Sequence, residues 1–351
     1  MNFNRVPGAL LFAGATGVGK RLFALELAKT LNCLSPTATL EACDVCGACL
    51  RIETLTRPAE RIANAETAII WSDHKDVGML VPDGRFIKIE QAREVEREAN
   101  FRPAEGRRRV FIIDDADRLN ESAANALLKI LEEMPATTHF MLITSRPDAL
   151  LPTIRSRCQT LRFAPLTHTE IEHHLITTHQ RAGTEARLAA RLARGNLALA
   201  LNLNLDSYQA QREHILTVLD ALASKRDRAR VLRIAEEIGD PKHKEDYEAT
   251  LDTFEITVRD VWHLTLAAQE SSRPKDYHQT SPAVTETLSD TTSIIVNEDI
   301  AARLAALAPR LAPRTLALFL TRIDRVRREL SININRRLAT DALLLGIMSE
   351  T

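Results

Sequence analysis

Gly14-Ala15-Thr16-Gly17-Val18-Gly19-Lys20-Arg21 decides the reading of this 351-residue chain. Gly14 to Lys20 satisfy G-x-x-x-x-G-K, the phosphate-binding loop, in which a glycine-rich backbone and a lysine cradle phosphates. The apolar run Ala9-Leu10-Leu11-Phe12-Ala13 leads in as a buried strand. A helix over Lys20 to Asn32 leads out, with Leu22, Leu25, Ala28 and Leu31 at helical spacing. A strand, a glycine turn and a helix N-terminus together favour an anion. The departure is Arg21, which stands where a serine or threonine hydroxyl would ligate Mg²⁺. A guanidinium has no acceptor atom and cannot coordinate a cation. The loop keeps the means to hold polyphosphate at Gly14, Thr16, Gly17, Gly19 and Lys20, and loses a means to hydrolyse it.

Outward from the loop, strands and helices alternate over about the first 160 residues, the pattern of a parallel sheet covered on both faces. Strands are expected at Ala68 to Trp71, Arg109 to Asp114, His139 to Thr144 and Leu161 to Phe163. Helices are expected at Lys88 to Asn100 and from Ala123 to Glu133, the latter closed by Pro135. Arg109-Val110-Phe111-Ile112-Ile113-Asp114 is a continuous apolar run ending in a carboxylate, as a buried parallel strand should be. Asp114 would be the Mg²⁺-side acid of the nucleotide site. The next residue, normally a glutamate that polarises water, is Asp115, one methylene shorter, and a misplacement of ~1 Å can cost ~10²-fold in rate.

Five cysteines occur, and four of them, Cys33, Cys43, Cys46 and Cys49, lie close together. Four thiolates at this spacing are enough to close a tetrahedral Zn²⁺ site with no open position, so a structural role is expected, with Gly47 and Ala48 permitting a tight turn. His173, His174 and His179 fall on an amphipathic helix and read as solvated. Ser156-Arg157-Cys158 follows the strand bearing Thr144. An arginine there could reach a neighbouring subunit's γ-phosphate, although an isolated loop arginine is usually only a surface residue.

Beyond Pro165 the chain reads as all helix. Thr167-x-x-Glu170 has capping-box spacing. Apolar stripes follow at Ile215/Leu216/Leu219/Leu222, Val231/Ile234/Ala235/Ile238 and Leu316/Phe319/Leu320/Ile323. Ser271 to Ser293, rich in Ser, Thr and Pro, reads as an exposed connection.

With 46 Lys+Arg against 47 Asp+Glu the formal charge is -1, which gives no support to binding nucleic acid through net charge. Aromatics at 4% argue against base-stacking platforms. No apolar run approaches the ~20 residues of a membrane helix, so a cytoplasmic location is expected.

The loop Gly14 to Lys20, the four cysteines, the strand Val110 to Asp117, Asn125-Ala126-Leu127-Leu128-Lys129-Ile130-Leu131-Glu132-Glu133 and Ser156-Arg157-Cys158 together resemble the AAA+ subunits of the bacterial DNA polymerase III clamp loader. The order and spacing of these five blocks are specific to that family. Its motor subunits, gamma and tau, would carry a hydroxyl at Arg21, a glutamate at Asp115 and a sensor-2 arginine at Ala198, within Gly195-Asn196-Leu197-Ala198-Leu199-Ala200. Three departures with Arg157 kept resemble the delta-prime family, as does Leu330 to Leu344.

The resemblance implies a RecA-like AAA+ parallel-sheet domain with a zinc insertion (1–164, the insertion at 33–49), a small helical lid (165–206) and an all-α collar (207–351). It implies structural Zn²⁺, a degenerate ATP site and Arg157 acting in trans. The partners would be gamma/tau and delta and, through the complex, the sliding clamp and primed DNA. Such a subunit serves a polymerase holoenzyme without polymerase or ATPase activity of its own. The competing readings are an active motor of the same family, a P-loop nucleotide kinase, and a DNA-binding zinc protein. A kinase would leave the cysteines and Ser156-Arg157-Cys158 without a role.

Overall fold

The computed structural model describes residues 6–56, 68–224, 228–238, 247–271, 295–330 and 335–350. The residues fall into two compact units, one of 1–167 with 193–199 and one of 168–192 with 200–351.

In the first unit the alternation of apolar runs and helices becomes a six-stranded sheet. Its strands are β1 (Ala9–Gly14), β2 (Ile70–Trp71), β3 (Val77–Leu80), β4 (Arg109–Ile113), β5 (Thr138–Thr144) and β6 (Gln159–Phe163). Their order is β2-β3-β4-β5-β1-β6, with every neighbouring pair parallel except β2 and β3. The sheet is mostly parallel, as the alternation of elements implied, with β2 an antiparallel edge strand. β3 was not expected at all, because Val77-Gly78-Met79-Leu80 is short and carries a glycine that strands usually avoid. The glycine has a local reason: a Cβ at Gly78 would stand 2.6 Å from Ile69 Cγ2 and 3.1 Å from the Trp71 ring.

Continuous apolar strands feed both faces, since successive side chains point oppositely. Leu11, Phe111, Ile113, Phe140 and Leu142 pack on one side, against α3 (Ile89–Ala99), α4 (Glu121–Glu133) and α5 (Pro152–Arg157). Leu10, Phe12, Val110, Ile112, Met141 and Ile143 pack on the other, against α1 (Lys20–Asn32) and α2 (Gly47–Glu53). Each such burial is worth about 1.5–3 kcal/mol. α4 starts two positions earlier than expected, because the Asn120 side chain caps it by accepting from the Ala123 N–H at 2.8 Å. On α1, Leu22 is 53% exposed and does not join the core; Ala24, Leu25, Ala28 and Leu31 do.

The register sets Ala13 opposite Thr144 and Ile113 opposite Leu142. The loop after Gly14, the acid Asp114 and the hydroxyl of Thr144 thus meet at the C-terminal edge of the sheet, where ligands of open α/β sheets bind.

One buried acid fixes the approach to β4. Asp76 is fully buried, and its carboxylate accepts N–H groups from Ala104 (2.7 Å), Glu105 (2.9 Å) and Gly106 (2.7 Å). Burial raises its pKa, but those donors and His74 outweigh it and hold the carboxyl below its usual range. With the folded value depressed, its contribution is complete above the unfolded-state pKa. It is lost as pH falls through the folded value. Asp76→Asn should cost about 1–3 kcal/mol at neutral pH and flatten the acid side of the stability profile. Urea unfolding from pH 7 downward checks both; an unchanged profile would refute the account.

The second unit is helical. Ile215, Leu216, Leu219 and Leu222 of α6 (Leu205–Ser224) join Val231, Ile234, Ala235 and Ile238 of α7 (Arg228–Ile238) in one core. Leu316, Phe319 and Ile323 of a later helix (Pro313–Leu330) close it, with Leu320 partly buried. The expected connection from Ser271 to Ser293 lies, apart from the helical Ser271 itself, outside the described residues, as do positions 331–334. Among the described residues no helix is long and apolar enough to cross a membrane.

Candidate functional site

The phosphate loop turns through left-handed glycines, Gly17 at φ 78° and Gly19 at φ 92°, a conformation L side chains rarely adopt. Lys20, at the first helical position, is buried and donates to the carbonyls of Gly14 (2.7 Å) and Ala15 (2.6 Å). Burial lowers its pKa more than Asp114, Asp115 and Asp117 raise it. The loop is also covered by the chain itself. A Cβ at Gly17 would stand 1.8 Å from Asn196 Oδ1, and the Ala198 N–H donates to the Gly17 carbonyl at 3.4 Å. Asn196 in turn caps the helix Leu197–Asn202 through the Leu199 N–H at 2.9 Å. Ala198, where sensor-2 arginine is expected, therefore lies on the loop with no charge to offer.

Arg21 does something that sequence reasoning missed. Its Nε donates to Asp114 Oδ2 at 2.7 Å and its Nη2 pairs with the same oxygen. The other carboxylate oxygen of Asp114 accepts from the Asp115 N–H at 3.2 Å. Both oxygens of the acid are thus engaged, and its principal partner is a cation of the protein. Asp115 adopts a left-handed conformation at φ 48°. Its pKa is raised, first by burial and then by Asp114 and Asp117. Asp117 is held by the Thr144 hydroxyl (2.7 Å) and by Arg146 Nε (3.0 Å) and Nη2 (2.8 Å). Those partners outweigh burial and lower its pKa. A wide cavity of about 860 Å³ opens beside the loop, bounded by Gly14, Ala15, Ser145, Arg155, Arg162 and Phe163 among others.

The four cysteines come together. Their Sγ atoms all lie within 4.8 Å of one another, with Cys46 to Cys49 at 3.5 Å and Cys33 to Cys46 at 4.0 Å. Zinc–sulfur bonds of about 2.3 Å in a tetrahedron put sulfurs about 3.8 Å apart, so the set fits a divalent metal. Burial opposes ionisation of the Cys46 thiol, yet the N–H groups of Cys49 and Leu34 and the adjacent thiols bring it down to about 6. Gly47 and Ala48 do not make a tight turn; they open α2, with Cys46 at its N-cap and Cys49 inside it.

Two anchors tie this module to the domain. Buried Lys29 donates to Glu26 (2.8 Å), Asp44 (3.1 Å) and Glu53 (3.4 Å). Asn32, next to Cys33, accepts the Arg107 and Arg108 N–H groups, each at 2.9 Å, and so grips the segment entering β4. Among the described residues the histidines join no group able to hold a metal.

Arg157 is not on a loop. It ends the short helix α5, donates from Nη1 to the Thr153 carbonyl at 3.0 Å, and pairs through Nη2 with Glu132 of α4.

A phosphate-loop sequence after β1, an acid directly after β4 and a hydroxyl ending β5 place the first unit in the phosphate-loop α/β class. Comparison with known proteins narrows this. Residues 1–167 match the family model described as DNA polymerase III, delta subunit. The DNA polymerase III subunit delta' of Bacillus subtilis is 32% identical over 277 residues, covering 79% of this chain and 78% of that protein. Its Escherichia coli counterpart is 28% identical over 350 residues, covering 97% and 88%. The Escherichia coli tau subunit is 34% identical over 209 residues, 58% of this chain but only 29% of tau. The chain belongs to the DNA polymerase III delta' family.

Proposed function

We propose that this chain works as the delta' subunit of a clamp loader, assembling with gamma/tau and delta to place the sliding clamp on primed DNA, and that it does not hydrolyse ATP. Family membership supports the role. One observation carries the silence of the nucleotide site: Arg21 holds the carboxylate that a metal would need. A working site requires Mg²⁺ between that acid and the phosphates. Here the acid is neutralised from within, the hydroxyl ligand is missing, and Asp115 is too short and carries a raised pKa.

In this reading residues 1–164 form the AAA+ domain, 165–206 the lid and 207–351 the collar through which subunits join. Cys33, Cys43, Cys46 and Cys49 would hold a structural Zn²⁺ that closes the module and contributes folding free energy. Arg157 reaches the γ-phosphate of the neighbouring motor subunit and stabilises its transition state.

The test uses the purified full chain and the complex reconstituted with gamma/tau and delta. The chain alone should release no phosphate from Mg²⁺-ATP, and the complex should load the clamp only when the chain is present. Arg21→Thr frees Asp114 and restores a hydroxyl. It should tighten Mg²⁺-dependent nucleotide binding about tenfold or more, the scale of one charge-assisted hydrogen bond, by calorimetry with and without chelator. Steady turnover by the unaltered chain alone would overturn the proposal.

A further inference from the structure

Arg157 does not stand free: it is already bound to a carboxylate. The pair is formed by the last residue of α5 and by Glu132, one residue short of the end of α4, with side chains 36% and 50% exposed. Glu132 is badly placed for its own sake. The C-terminal end of a helix carries partial negative charge and disfavours an acid, and the last turn of α4 has no basic residue to offset it. The Arg157 guanidinium is the cation that does so. A guanidinium has five N–H donors. Nη1 is committed to the Thr153 carbonyl and Nη2 to Glu132.

Carboxylate and phosphate oxygens make the same demand on such a fork. The backbone contact orients the side chain whatever its other partner is, whereas the carboxylate competes with any incoming anion.

We propose that Glu132 is a positioning residue for the finger: it keeps Arg157 paired while the neighbouring site lacks a γ-phosphate and gives it up, carboxylate for phosphate, when one arrives. The proposal rests on Arg157 acting in trans. The exchange sets the affinity of the adjacent motor subunit for its triphosphate. It leaves the hydrolytic step untouched, because once phosphate has replaced the carboxylate the finger is the same. Loss of a contact made equally in ground and transition states moves KM and not kcat; removing a competitor acts in the same way with the opposite sign.

The experiment is steady-state ATP hydrolysis by the complete loader with primed DNA and clamp, using Glu132→Gln, Glu132→Asp and Arg157→Ala in this chain. Glu132→Gln keeps the shape and removes the charge. It should lower KM for ATP about two- to fivefold, the range an exposed ion pair supports, with kcat unchanged. Glu132→Asp should return KM towards the unaltered value. The effect should shrink at high salt, which screens the exposed pair and would not alter a purely structural contact.

A fall in kcat approaching that of Arg157→Ala would make Glu132 a scaffold for the finger and overturn the exchange. Unchanged KM and kcat, with Arg157→Ala still impaired, would reduce the pair to a surface contact. No effect of Arg157→Ala would instead remove the trans-acting finger itself. Thermal unfolding of each variant separates these outcomes from misfolding.

Discussion

With Arg157 acting in trans as proposed, Arg157→Ala is expected to silence hydrolysis at the motor site it reaches. Arginine fingers are worth about 10³–10⁵ in turnover, because they place positive charge on phosphate oxygens that become more negative in the transition state. Any motor site that Arg157 does not reach would be unaffected. Total DNA-stimulated phosphate release should therefore fall by the share of the sites it reaches, which a single-turnover measurement resolves as a slow fraction. Assembly should persist, since the Arg157 side chain is one-third exposed and its polar partners among the described residues are Glu132 and the Thr153 carbonyl. Arg157→Lys should recover little, as a point charge does not reproduce a planar fork. Gel filtration of the complex controls for assembly, and full turnover by the alanine variant would refute the finger.

Metal removal is the other large expected effect. Structural zinc sites in finger peptides contribute about 10–16 kcal/mol of folding free energy. Here the module is also held by Lys29, Asn32 and the core residues Ile52 and Leu55, so only part of such a figure should appear. A strong chelator should lower the melting temperature and loosen α2 and residues 107–108, which Asn32 fastens to the end of α1. Elemental analysis should give one zinc per chain, and Cys43→Ala should reproduce the chelated state. Undiminished thermal stability after chelation, or no bound zinc, would count against the site.

What could be read before the fold was known is what chemistry places locally. The phosphate loop is contiguous, the cysteine spacing is short, and an apolar run between polar segments announces a buried strand. Partnerships across the chain could not be read. Arg21 and Asp114 are 93 positions apart, and nothing short of the register of β4 beside β5 and β1 brings them together. Asn32 and Asp76 look like ordinary polar residues at element ends; only the return of the segment 104–108 reveals their work. Leu22 has the spacing of a core residue yet lies outside, because helical period alone does not fix the width of the buried face. The segment 193–199 reads as part of a continuous helical stretch but groups with the first unit. Arg157 fell on a helix because Pro152 at the first helical position pre-sets the backbone for one more short turn.

The side chain of Arg21 cannot be stripped by a chelator, swapped for calcium or manganese, or diluted away. Motor subunits depend on a dissolved ion that comes and goes with each nucleotide, and their strand ends must respond to it. Here the counter-ion is bonded into the polypeptide, so the acid after β4 has a cationic partner without any dissolved metal. On the proposed reading, a tethered guanidinium would leave this subunit's acid indifferent to the ions its neighbours exchange.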